Sequence, residues 1–429
     1  MTYEQALAYL SRQGRFAMKL GTERTRAILD RLGAPDRKLS GALIAGTNGK
    51  GSTGALLASI LRAGGRRVGF MPKPHLISYT ERIEIDGEAI SEAEFVRTLE
   101  ELIPTLDEVA KEMGPATEFE MLTAMAIAYL APRIDVLVCE VGLGGRLDAT
   151  NALDLGVAVI TNVDLDHQKY LGDSIVQIAR EKAAIIKDGA LVITGAEGEA
   201  LEIVEDQAAR IFGTLWRVGY ELKVESTSLG WAGSTLTLAG PGFEHLDLRV
   251  GLVGEYQPVN AALAVAAAHA LGAGDEAAVR EGLATARWPG RLQLIDSEPR
   301  VILDGGHNPA AMIKAGASLR HLIGSERLVV VFAMLSERDP VELMRALRSL
   351  RPDAVVFTEP ASAHGHAVAP ETLAEVYGTP AEVVRLASDS VERARALAGP
   401  EGNVLVCGSL YLVGEVLAQG LARRNRTQR

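Results

Sequence analysis

The sequence is poor in cysteine and has a deficit of basic residues. Two cysteines among 429 residues cannot form a disulfide framework, which argues against a disulfide-stabilised extracellular domain. Acidic residues outnumber Lys and Arg by 55 to 44. This balance argues against non-specific nucleic-acid binding, because such binding depends on Lys and Arg neutralising phosphates. Apolar runs typical of signal peptides or membrane spans are also missing. We therefore expect a cytoplasmic protein that binds neither nucleic acid nor membrane. We also expect it to be a monomer.

The sequence does contain ample core-forming residues and a regular alternation of strands and helices. Hydrophobic residues make up 48% of the chain and charged residues 23%, which is typical of a globular protein. Short runs rich in Val and Ile alternate with amphipathic stretches, which predicts a doubly wound, mostly parallel α/β sheet. In the first part of the chain, strands are predicted at 42–45, 67–70, 134–139 and 157–161, and helices at 52–63, 92–112 and 119–130.

A short segment, Trp288-Pro289-Gly290-Arg291, predicts the boundary between two domains. Residues 1–287 form the larger domain in this interpretation, built on a P-loop-type sheet. Residues 288–429 form a smaller, Rossmann-like α/β domain, whose size is within the usual range. Its strands are predicted at 301–303, 328–332, 354–357 and 404–407.

Two segments of the larger domain have the alternation typical of antiparallel strands. Residues 82–90 carry an Asp86-Gly87 turn between apolar–polar alternations, which predicts a hairpin that projects from the sheet. Residues 211–250 alternate with a period of two, which predicts an antiparallel appendage to the domain.

A glycine-rich loop connects the strand at 42–45 to the helix at 52–63. Glycines let a backbone wrap an anion, and the following helix offers unpaired N–H groups and about half a positive charge. The strict phosphate-loop pattern is not met, because Ile44 replaces its first glycine and Gly51 separates Lys50 from Ser52. A chance glycine turn is the alternative, but the strand before and the helix after favour nucleotide binding. The predicted ATP contacts here are Gly46, Thr47, Asn48, Gly49, Lys50, Gly51, Ser52 and Thr53.

Motifs beyond this loop carry a resemblance to a known family. A second glycine-rich signature runs from Glu140 to Asn151. Later motifs follow in order: Asp166-His167, Arg180-Glu181-Lys182-Ala183, Pro289-Gly290-Arg291, Asp304 to Pro309, and Gly408-Ser409-Leu410-Tyr411. Together with the inserted Gly51, they resemble the folylpolyglutamate synthase/dihydrofolate synthase branch of the Mur-ligase superfamily. The resemblance spans nearly the whole chain and implies a ligase that uses ATP and Mg²⁺.

Three residues are predicted metal ligands. Glu140 follows a buried strand, at the strand end where open α/β sheets bind ligands. Mg²⁺ prefers oxygen ligands and often takes only one or two of them from the protein. The resemblance implies that Glu140 and Ser52 bind Mg²⁺ beside the phosphates and that His167 binds a second ion. A solvated acid and a structural histidine are the alternatives for Glu140 and His167.

Lys182 lies on or beside the apolar stripe of a helix predicted at 174–186. Burial lowers the pKa of a lysine and gives a neutral, nucleophilic amine, which can take up carbon dioxide as a carbamate. The residues alone favour the alternative, a side chain that snorkels to solvent. The resemblance implies the carbamate, because the family carries a modified lysine at the matching position.

The resemblance also assigns nucleotide and substrate contacts in both domains. Asn260, near a helix start, matches a contact of the nucleotide base, and Arg291 matches a contact of the γ-phosphate. Asp304 and His307 follow a strand of the smaller domain, where they are expected to line the active-site cleft. Ser409 is a candidate substrate contact or an N-cap. A helix-start asparagine, a solvated linker arginine and a turn-capping aspartate are the structural alternatives for Asn260, Arg291 and Asp304.

One loop departs from the family pattern. Family members have Ser-Pro-His-Leu after another small hydroxyl residue, whereas this chain has Met71-Pro72-Lys73-Pro74-His75-Leu76. Lys73 is predicted to attract a glutamate or glutamyl-tail carboxylate, or else to face solvent, and His75 is a second candidate substrate contact. Asp148 matches a position that contacts the pterin of the substrate. Phe119 is interpreted either as part of the same pocket or as core.

The implied reaction is ATP-dependent amide formation. A substrate carboxylate attacks the γ-phosphoryl group, and the α-amine of L-glutamate then displaces phosphate from the acyl phosphate. The predicted catalytic residues are Lys50, Lys182, Arg291 and His307, and the acceptor is dihydropteroate, a reduced folate, or both. Two alternatives are another Mur-type ligase acting on a cell-wall precursor and a nucleotide-dependent switch without ligase activity.

Overall fold

The computed structural model describes residues 1–14, 21–378 and 381–427. The chain divides into two compact units. The first unit comprises Met1–Thr227, Thr235–Gly251 and Gln257–Arg287. The second unit comprises Ser228–Ser234, Leu252–Tyr256 and Trp288–Arg429. Two short segments therefore belong to the second unit although they precede Trp288 in the chain.

The first unit is built on an eight-stranded sheet with buried apolar strands at its centre. Its spatial order is β4-β3-β2-β5-β1-β6-β7-β8, and all neighbours from β2 to β8 pair in parallel. This arrangement confirms the predicted doubly wound, mostly parallel sheet. In chain order, β1 to β8 are Ser40–Ala45, Val68–Met71, Glu84–Ile85, Glu88–Ala89, Val136–Glu140, Gly156–Ile160, Leu191–Thr194 and Thr214–Arg217.

Two expectations about antiparallel elements are wrong in part. The hairpin of β3 and β4 does not project from the sheet, because β3 pairs antiparallel with β2 and extends the sheet edge. This pairing satisfies backbone groups of β2 that an open edge would leave unpaired. Residues 214–217 belong to the main sheet as β8 and not to an appendage, since they continue the parallel series beyond β7. A separate three-stranded sheet follows, formed by β9 to β11 at Lys223–Ser228, Ser234–Gly240 and Phe243–Val250.

The helices of the first unit begin where the sequence supplies side-chain caps. Ser91, Thr117 and Ser174 each accept a main-chain hydrogen bond at the start of a helix, as N-cap residues do. Within the described ranges, no helix is both long and apolar enough to cross a membrane. Helices α1 to α10 are Tyr3–Gly14, Glu23–Arg31, Lys50–Ala63, Glu92–Met113, Glu118–Leu130, Gln168–Leu171, Ile175–Ala183, Gly198–Arg210, Gln257–Ala270 and Glu276–Thr285.

The second unit contains a six-stranded sheet of order β12-β13-β17-β14-β15-β16. The four strands predicted from apolar runs are confirmed, and the edge strands β12 and β16 were missed because they are short and partly polar. Strands β12 to β17 are Gln293–Ser297, Arg300–Leu303, Leu328–Phe332, Ala354–Phe357, Ala381–Val383 and Asn403–Cys407. Helices α11 to α15 are Pro309–Ile323, Pro340–Ser349, Pro370–Tyr377, Ala387–Ala398 and Leu410–Thr427.

Candidate functional site

The phosphate loop, residues 46–49, connects the end of β1 to the start of α3. Gly46 and Gly49 have φ values of +149° and +85°, in a region that favours glycine. A side chain at Gly46 would collide with Thr161, and one at Gly49 would collide with Asn260. The loop therefore needs both glycines, because neither the backbone conformation nor the neighbouring atoms accommodate a Cβ.

The segment after β6, residues 161–164, holds the phosphate loop in place. The main-chain N–H groups of Thr47 and Asn48 donate to the carbonyl and side-chain oxygens of Asn162, each at 3.0 Å. In return, Thr161 Oγ1 and Asn162 Nδ2 donate to the carbonyl of Asn48 at 2.6 and 2.9 Å. These bonds give Thr47 and Asn48 a role in shaping the loop. Sequence reasoning missed Asn162, although its place after a buried parallel strand was an available signal.

Two further predicted ATP contacts, Gly51 and Thr53, are buried in the first turn of α3. The Thr53 N–H donates to the carbonyl of Gly49 at 2.9 Å, and its hydroxyl has no hydrogen-bond partner among the described residues. Contact between Thr53 and a nucleotide stays a prediction.

Two lysine amines meet at one carbonyl of the phosphate loop. Lys50 Nζ donates to the carbonyl oxygens of Gly46 and Thr47 at 3.1 and 3.2 Å. Lys182 Nζ donates to the same Gly46 oxygen at 3.0 Å. Because like charges repel, the charge of Lys50 disfavours the ammonium form of Lys182.

Lys182 is buried in α7, with only 4% of its surface exposed. Ser174 and Gln177 form a capping box that begins this helix, and Lys182 shares its buried face with Ile178 and Ala179. Burial, with a smaller contribution from the Lys50 charge, lowers the pKa of Lys182 to about 7. The snorkelling alternative requires the Lys182 side chain to reach solvent. The structure shows that it does not.

Ser52 lies at one end of a buried polar chain and is 2% exposed. Gln257 Nε2 lies 3.5 Å from Ser52 Oγ, and Asn260 Nδ2 donates to Gln257 Oε1 at 2.9 Å. Asn260 also packs against Gly49, so it contacts the phosphate loop and does more than start a helix. Sequence reasoning missed Gln257, although its spacing of three residues from Asn260 places both on one face of α9.

Glu140 ends β5 next to the strand that leads into the phosphate loop. The parallel register pairs Glu140 with Ile44 of β1, and the carboxylate is 3% exposed. Glu140 Oε2 accepts the main-chain N–H of Lys73 at 3.0 Å. The described residues contain no group of three or more His, Cys, Asp and Glu that could hold a metal. A buried carboxylate and the Ser52 hydroxyl nevertheless fit Mg²⁺, which takes few protein ligands when it also binds phosphates.

His167 begins the short helix α6 with a φ of +51°. Its main-chain N–H donates to Asp166 Oδ1 at 2.8 Å, and its ring Nε2 lies 3.9 Å from the same oxygen. The Asp166 carboxylate is buried, whereas the His167 ring is partly exposed. The structure thus places a second carboxylate beside the predicted metal ligand, and metal binding by His167 stays a prediction.

The Lys73 side chain points inward and not to solvent. Its Nζ is buried, has no hydrogen-bond partner among the described residues, and lies 3.7 Å from the centroid of the Phe119 ring. Burial lowers the pKa of Lys73, and the charge of Asp148 opposes that shift. Phe119 therefore contacts the Lys73 amine and is more than a core residue.

His75 is held in one orientation by its neighbours. Its Nδ1 accepts a hydrogen bond from Arg82 Nε at 2.8 Å, and its ring lies 4.3 Å from the Tyr79 ring. Burial, followed by the charge of Arg82, lowers the pKa of His75 to about 4. The neutral ring therefore carries its proton on Nε2, where it is a hydrogen-bond donor.

Asp148 is engaged in shaping the second glycine-rich loop. Its Oδ2 accepts the N–H groups of Gly142 and Leu143 at 3.0 and 2.9 Å. Its Oδ1 accepts the N–H and the hydroxyl of Thr150 at 3.0 and 2.5 Å. Four donors saturate a carboxylate. The structure thus assigns Asp148 a structural role, and contact with a pterin would cost one of these bonds.

We predict that Asp148→Asn destabilises the protein by about 1–3 kcal/mol, because an amide group cannot accept all four bonds. Urea unfolding monitored by circular dichroism measures this change. Asp154→Asn is the matched control, since Asp154 is exposed and accepts only a long bond from Gly156 N at 3.4 Å. Unchanged stability combined with weakened acceptor binding would instead identify Asp148 as a substrate contact.

In the second unit, Asp304 and His307 follow β13. Asp304 is 3% exposed, and its carboxylate accepts the N–H groups of Leu292 and Gly306 at 3.0 and 2.8 Å. Burial raises the pKa of Asp304, and the charge of Arg291 opposes that shift. His307 Nδ1 lies 2.8 Å from the carbonyl of Gly305. Because a carbonyl only accepts, Nδ1 donates and the neutral ring keeps its lone pair on Nε2.

Arg291 and Ser409 lie at the same strand ends of the second unit. Arg291 Nη1 donates to the carbonyl of Gly290 at 2.9 Å, and its guanidinium packs against Gly305, where a side chain would collide with it. The Gly408 N–H donates to the carbonyl of Gly306, joining the loops after β13 and β17. The Ser409 hydroxyl is buried without a partner among the described residues, so the N-cap alternative is not realised.

Comparison with known proteins identifies both parts of the chain. The Mur ligase middle domain matches residues 44–268, and the Mur ligase glutamate ligase domain matches residues 290–410. A dihydrofolate synthase/folylpolyglutamate synthase of Escherichia coli (strain K12) is 36% identical over 422 residues, which cover 98% of this chain and 96% of that protein. A probable bifunctional folylpolyglutamate synthase/dihydropteroate synthase of Haloferax volcanii is 35% identical over 97% of this chain, which spans 50% of that longer protein.

Solved structures show the same relationship. Mycobacterium tuberculosis folylpolyglutamate synthase, crystallised with ADP and AMPPCP, is similar with a TM-score of 0.90 and 33% sequence identity. The match covers 97% of this chain and 99% of that one. Family-domain matches over most of the sequence and this structural similarity agree with the motifs, the phosphate loop and the strand-end residues described above. The chain is therefore a ligase of the Mur ligase family, in its folylpolyglutamate synthase/dihydrofolate synthase branch.

Proposed function

We propose that this protein joins L-glutamate to dihydropteroate, to a reduced folate, or to both, and converts ATP to ADP and phosphate. The observation that carries the proposal is the phosphate loop, where the Lys50 and Lys182 amines meet at the Gly46 carbonyl. The start of α3 and the Lys50 amine are suited to binding the phosphates of ATP. The names of the relatives support folate-type acceptors.

Two chemical steps follow from this assignment. A carboxylate oxygen of the acceptor bonds to the γ-phosphorus of ATP, and the bond to the ADP oxygen breaks. The α-amine of L-glutamate then bonds to the acyl carbon, phosphate leaves, and the amine loses a proton. Lys50 offsets the charge of the phosphates. We assign Arg291 to phosphate binding, His307 to the proton of the amine, and Asp304 and Ser409 to nucleotide and substrate binding in the second unit.

The metal ligands in this proposal are Ser52 and Glu140, with His167 as a further ligand. Mg²⁺, when bound, supplies positive charge that neutralises the phosphates. The buried contact of Gln257 with Ser52 orients the serine hydroxyl, and the Lys73 main-chain N–H orients the Glu140 carboxylate. Such supporting contacts set the geometry of metal ligands.

We assign a carbamate to Lys182. Its neutral amine nitrogen would bond to the carbon of carbon dioxide and release a proton, which gives an anion. The pKa of about 7 supports this step, because the neutral amine is abundant near neutral pH. The carbamate would be attracted to the Lys50 ammonium, whereas the unmodified ammonium repels it.

The test is an assay of the purified protein with ATP, L-glutamate, and either dihydropteroate or tetrahydrofolate. We expect phosphate release that depends on both glutamate and a folate-type acceptor, together with a product one glutamyl residue heavier by mass spectrometry. Phosphate release that is indifferent to both would favour a nucleotide-dependent switch. Activity only with a cell-wall precursor would favour the other Mur-type alternative.

A further inference from the structure

Two histidine rings of the first unit contact each other outside the site described above. His245 lies on β11, and His269 lies in the last turn of α9. Their Nε2 atoms are 2.8 Å apart, and His245 is 4% exposed. The Phe243 ring stacks on His269, with centroids 3.8 Å apart, and a side chain at Gly274 would collide with the His269 ring. The rings are therefore held in place, and their contact joins the C-terminal end of α9 to β11.

The number of protons on the two rings decides whether this contact can persist. A hydrogen bond between imidazole nitrogens needs one nitrogen with a proton and one with a lone pair. Two neutral rings share two protons, one of which lies between the Nε2 atoms. A third proton, with this bond intact, would place a proton on both Nδ1 atoms. His245 Nδ1 is buried without a hydrogen-bond partner among the described residues, so a proton there would be an unsatisfied buried donor.

The environment of the pair favours neutral rings. Burial lowers the pKa of both histidines, to about 4 for His269. The carboxylates of Glu276 and Asp275, at the start of α10, oppose the shift of His245, and the Arg280 guanidinium adds to it. The charge of His245 adds to the shift of His269, and Asp275 opposes it. Burial thus outweighs both carboxylates.

The other elements near the pair carry few charged groups. Strand β10 and the rest of α9 contain no titratable side chain. In α3, which packs against α9 and α10, Lys50 and Arg62 donate to the main-chain carbonyls of Gly46 and Asp86. The charged residues of β11 itself are exposed: Glu244, Asp247 and Arg249.

We propose that the His245–His269 pair is a proton-sensitive contact, which holds the end of α9 on β11 while both rings are neutral and releases it when the pair takes up a third proton. The proposal concerns the fold and does not depend on the ligase activity. Metal binding is the alternative for two facing Nε2 atoms. The described ranges, however, contain no group of three or more His, Cys, Asp and Glu that could hold a metal.

The stabilisation by this contact is expected to be lost in acid. In the unfolded chain a histidine takes up a proton near its ordinary pKa of about 6.5, whereas the folded pair resists protonation to a lower pH. The contact therefore contributes its full stability above pH of about 6.5. This contribution is lost as the pH falls from about 6.5 toward the pKa of His269, about 4.

The test measures urea unfolding between pH 7 and pH 5 in wild type and in the double variant His245→Gln/His269→Gln. Two amides can keep one hydrogen bond between them without a titratable group. Between these pH values, the ratio of folded to unfolded protein is expected to fall about 10-fold more in wild type than in the double variant. His366→Gln, at an exposed position, is the matched control and is expected to keep the pH dependence of wild type.

Nitrogen NMR of the histidine rings in wild type tests the proposal without a folded double variant. The single variants His245→Gln and His269→Gln assign the two resonances. Both rings are expected to remain neutral at pH 5.5, where an ordinary histidine is mostly charged. Rings that titrate near pH 6.5, or equal pH dependence of unfolding in wild type and double variant, would overturn the proposal. A melting temperature that EDTA lowers at pH 7 in wild type but not in His269→Gln would show a metal site instead.

Discussion

Replacing Lys50 with alanine is expected to lower kcat/KM for ATP by about 10³-fold or more, which leaves almost no turnover. The Lys50 amine lies over the phosphate loop, bonded to the carbonyls of Gly46 and Thr47. Removing it leaves the N–H groups of α3 without the cation that offsets the phosphate charge. Steady-state ADP formation with saturating glutamate and acceptor measures the effect, and calorimetry measures nucleotide affinity.

Lys223→Ala is the matched control for this variant. Lys223 is exposed, and its Nζ donates to the carbonyl of Gly219, four residues earlier, at 3.1 Å. It therefore repeats the local contact that Lys50 makes with Gly46, but outside the phosphate loop. We expect wild-type turnover in Lys223→Ala and an unchanged melting temperature in both variants. Turnover near the wild-type rate in Lys50→Ala would contradict the assignment of ATP to this loop.

Lys182→Ala is expected to lose about as much activity as Lys50→Ala. Short carboxylates such as acetate are expected to restore part of the activity of Lys182→Ala. The substitution removes the amine that would carry the carbamate anion beside Lys50. A small carboxylate can occupy the space left by the side chain and supply the missing negative charge. The measurement is turnover of the variant over a range of acetate concentrations. Chloride at equal ionic strength serves as the control salt, because it excludes a general salt effect.

The dependence of enzymatic activity on carbon dioxide and pH distinguishes a carbamate on Lys182 from an ordinary buried lysine. Since the pKa of Lys182 is about 7, the fraction of neutral amine rises as the pH rises through 7. Wild-type protein depleted of carbon dioxide is therefore expected to regain activity faster at pH values above 7 than below when the concentration of dissolved carbon dioxide is the same at each pH. Lys182→Ala is expected to show no such recovery. Normal activity of Lys182→Ala would show that the carbamate assignment is wrong.

Local sequence patterns were sufficient to predict most elements near the site. The apolar run within the strand predicted at 134–139, the glycine-rich segment at 46–49 and the period of the helix holding Lys182 each depend on neighbours within a few residues. A period of 3.6 or a buried run of Val and Ile constrains where side chains point before any long-range contact forms. For this reason the position of Lys182 on or beside the apolar stripe was foreseeable, whereas the residues alone favoured a side chain that reaches solvent, and neither its burial nor its contact with Gly46 was predicted from them.

These local patterns could not predict contacts between segments that are distant in the sequence. The pairing of Asn162 with the phosphate loop, and of β3 with β2, joins segments whose proximity depends on the strand order of the sheet. Asp148 was matched to a substrate contact, yet the fold surrounds its carboxylate with four donors. The inward direction of Lys73 likewise depends on the position of Phe119, which lies on α5.

The order of residues along the chain predicted a mostly parallel α/β fold with a modified phosphate loop, because motifs and periodicities are local properties. The ligase activity was implied by the resemblance to a known family. The fold alone determined which polar groups are already satisfied and which remain available to a ligand. Hydrogen-bond partners of Asp148, Gln257 and Asn162 come from other segments, and their distances depend on how sheet and helices pack. The same packing brings the Lys50 and Lys182 amines to the carbonyl oxygen of Gly46. The two lysines are 132 residues apart, so the sequence by itself does not indicate this contact.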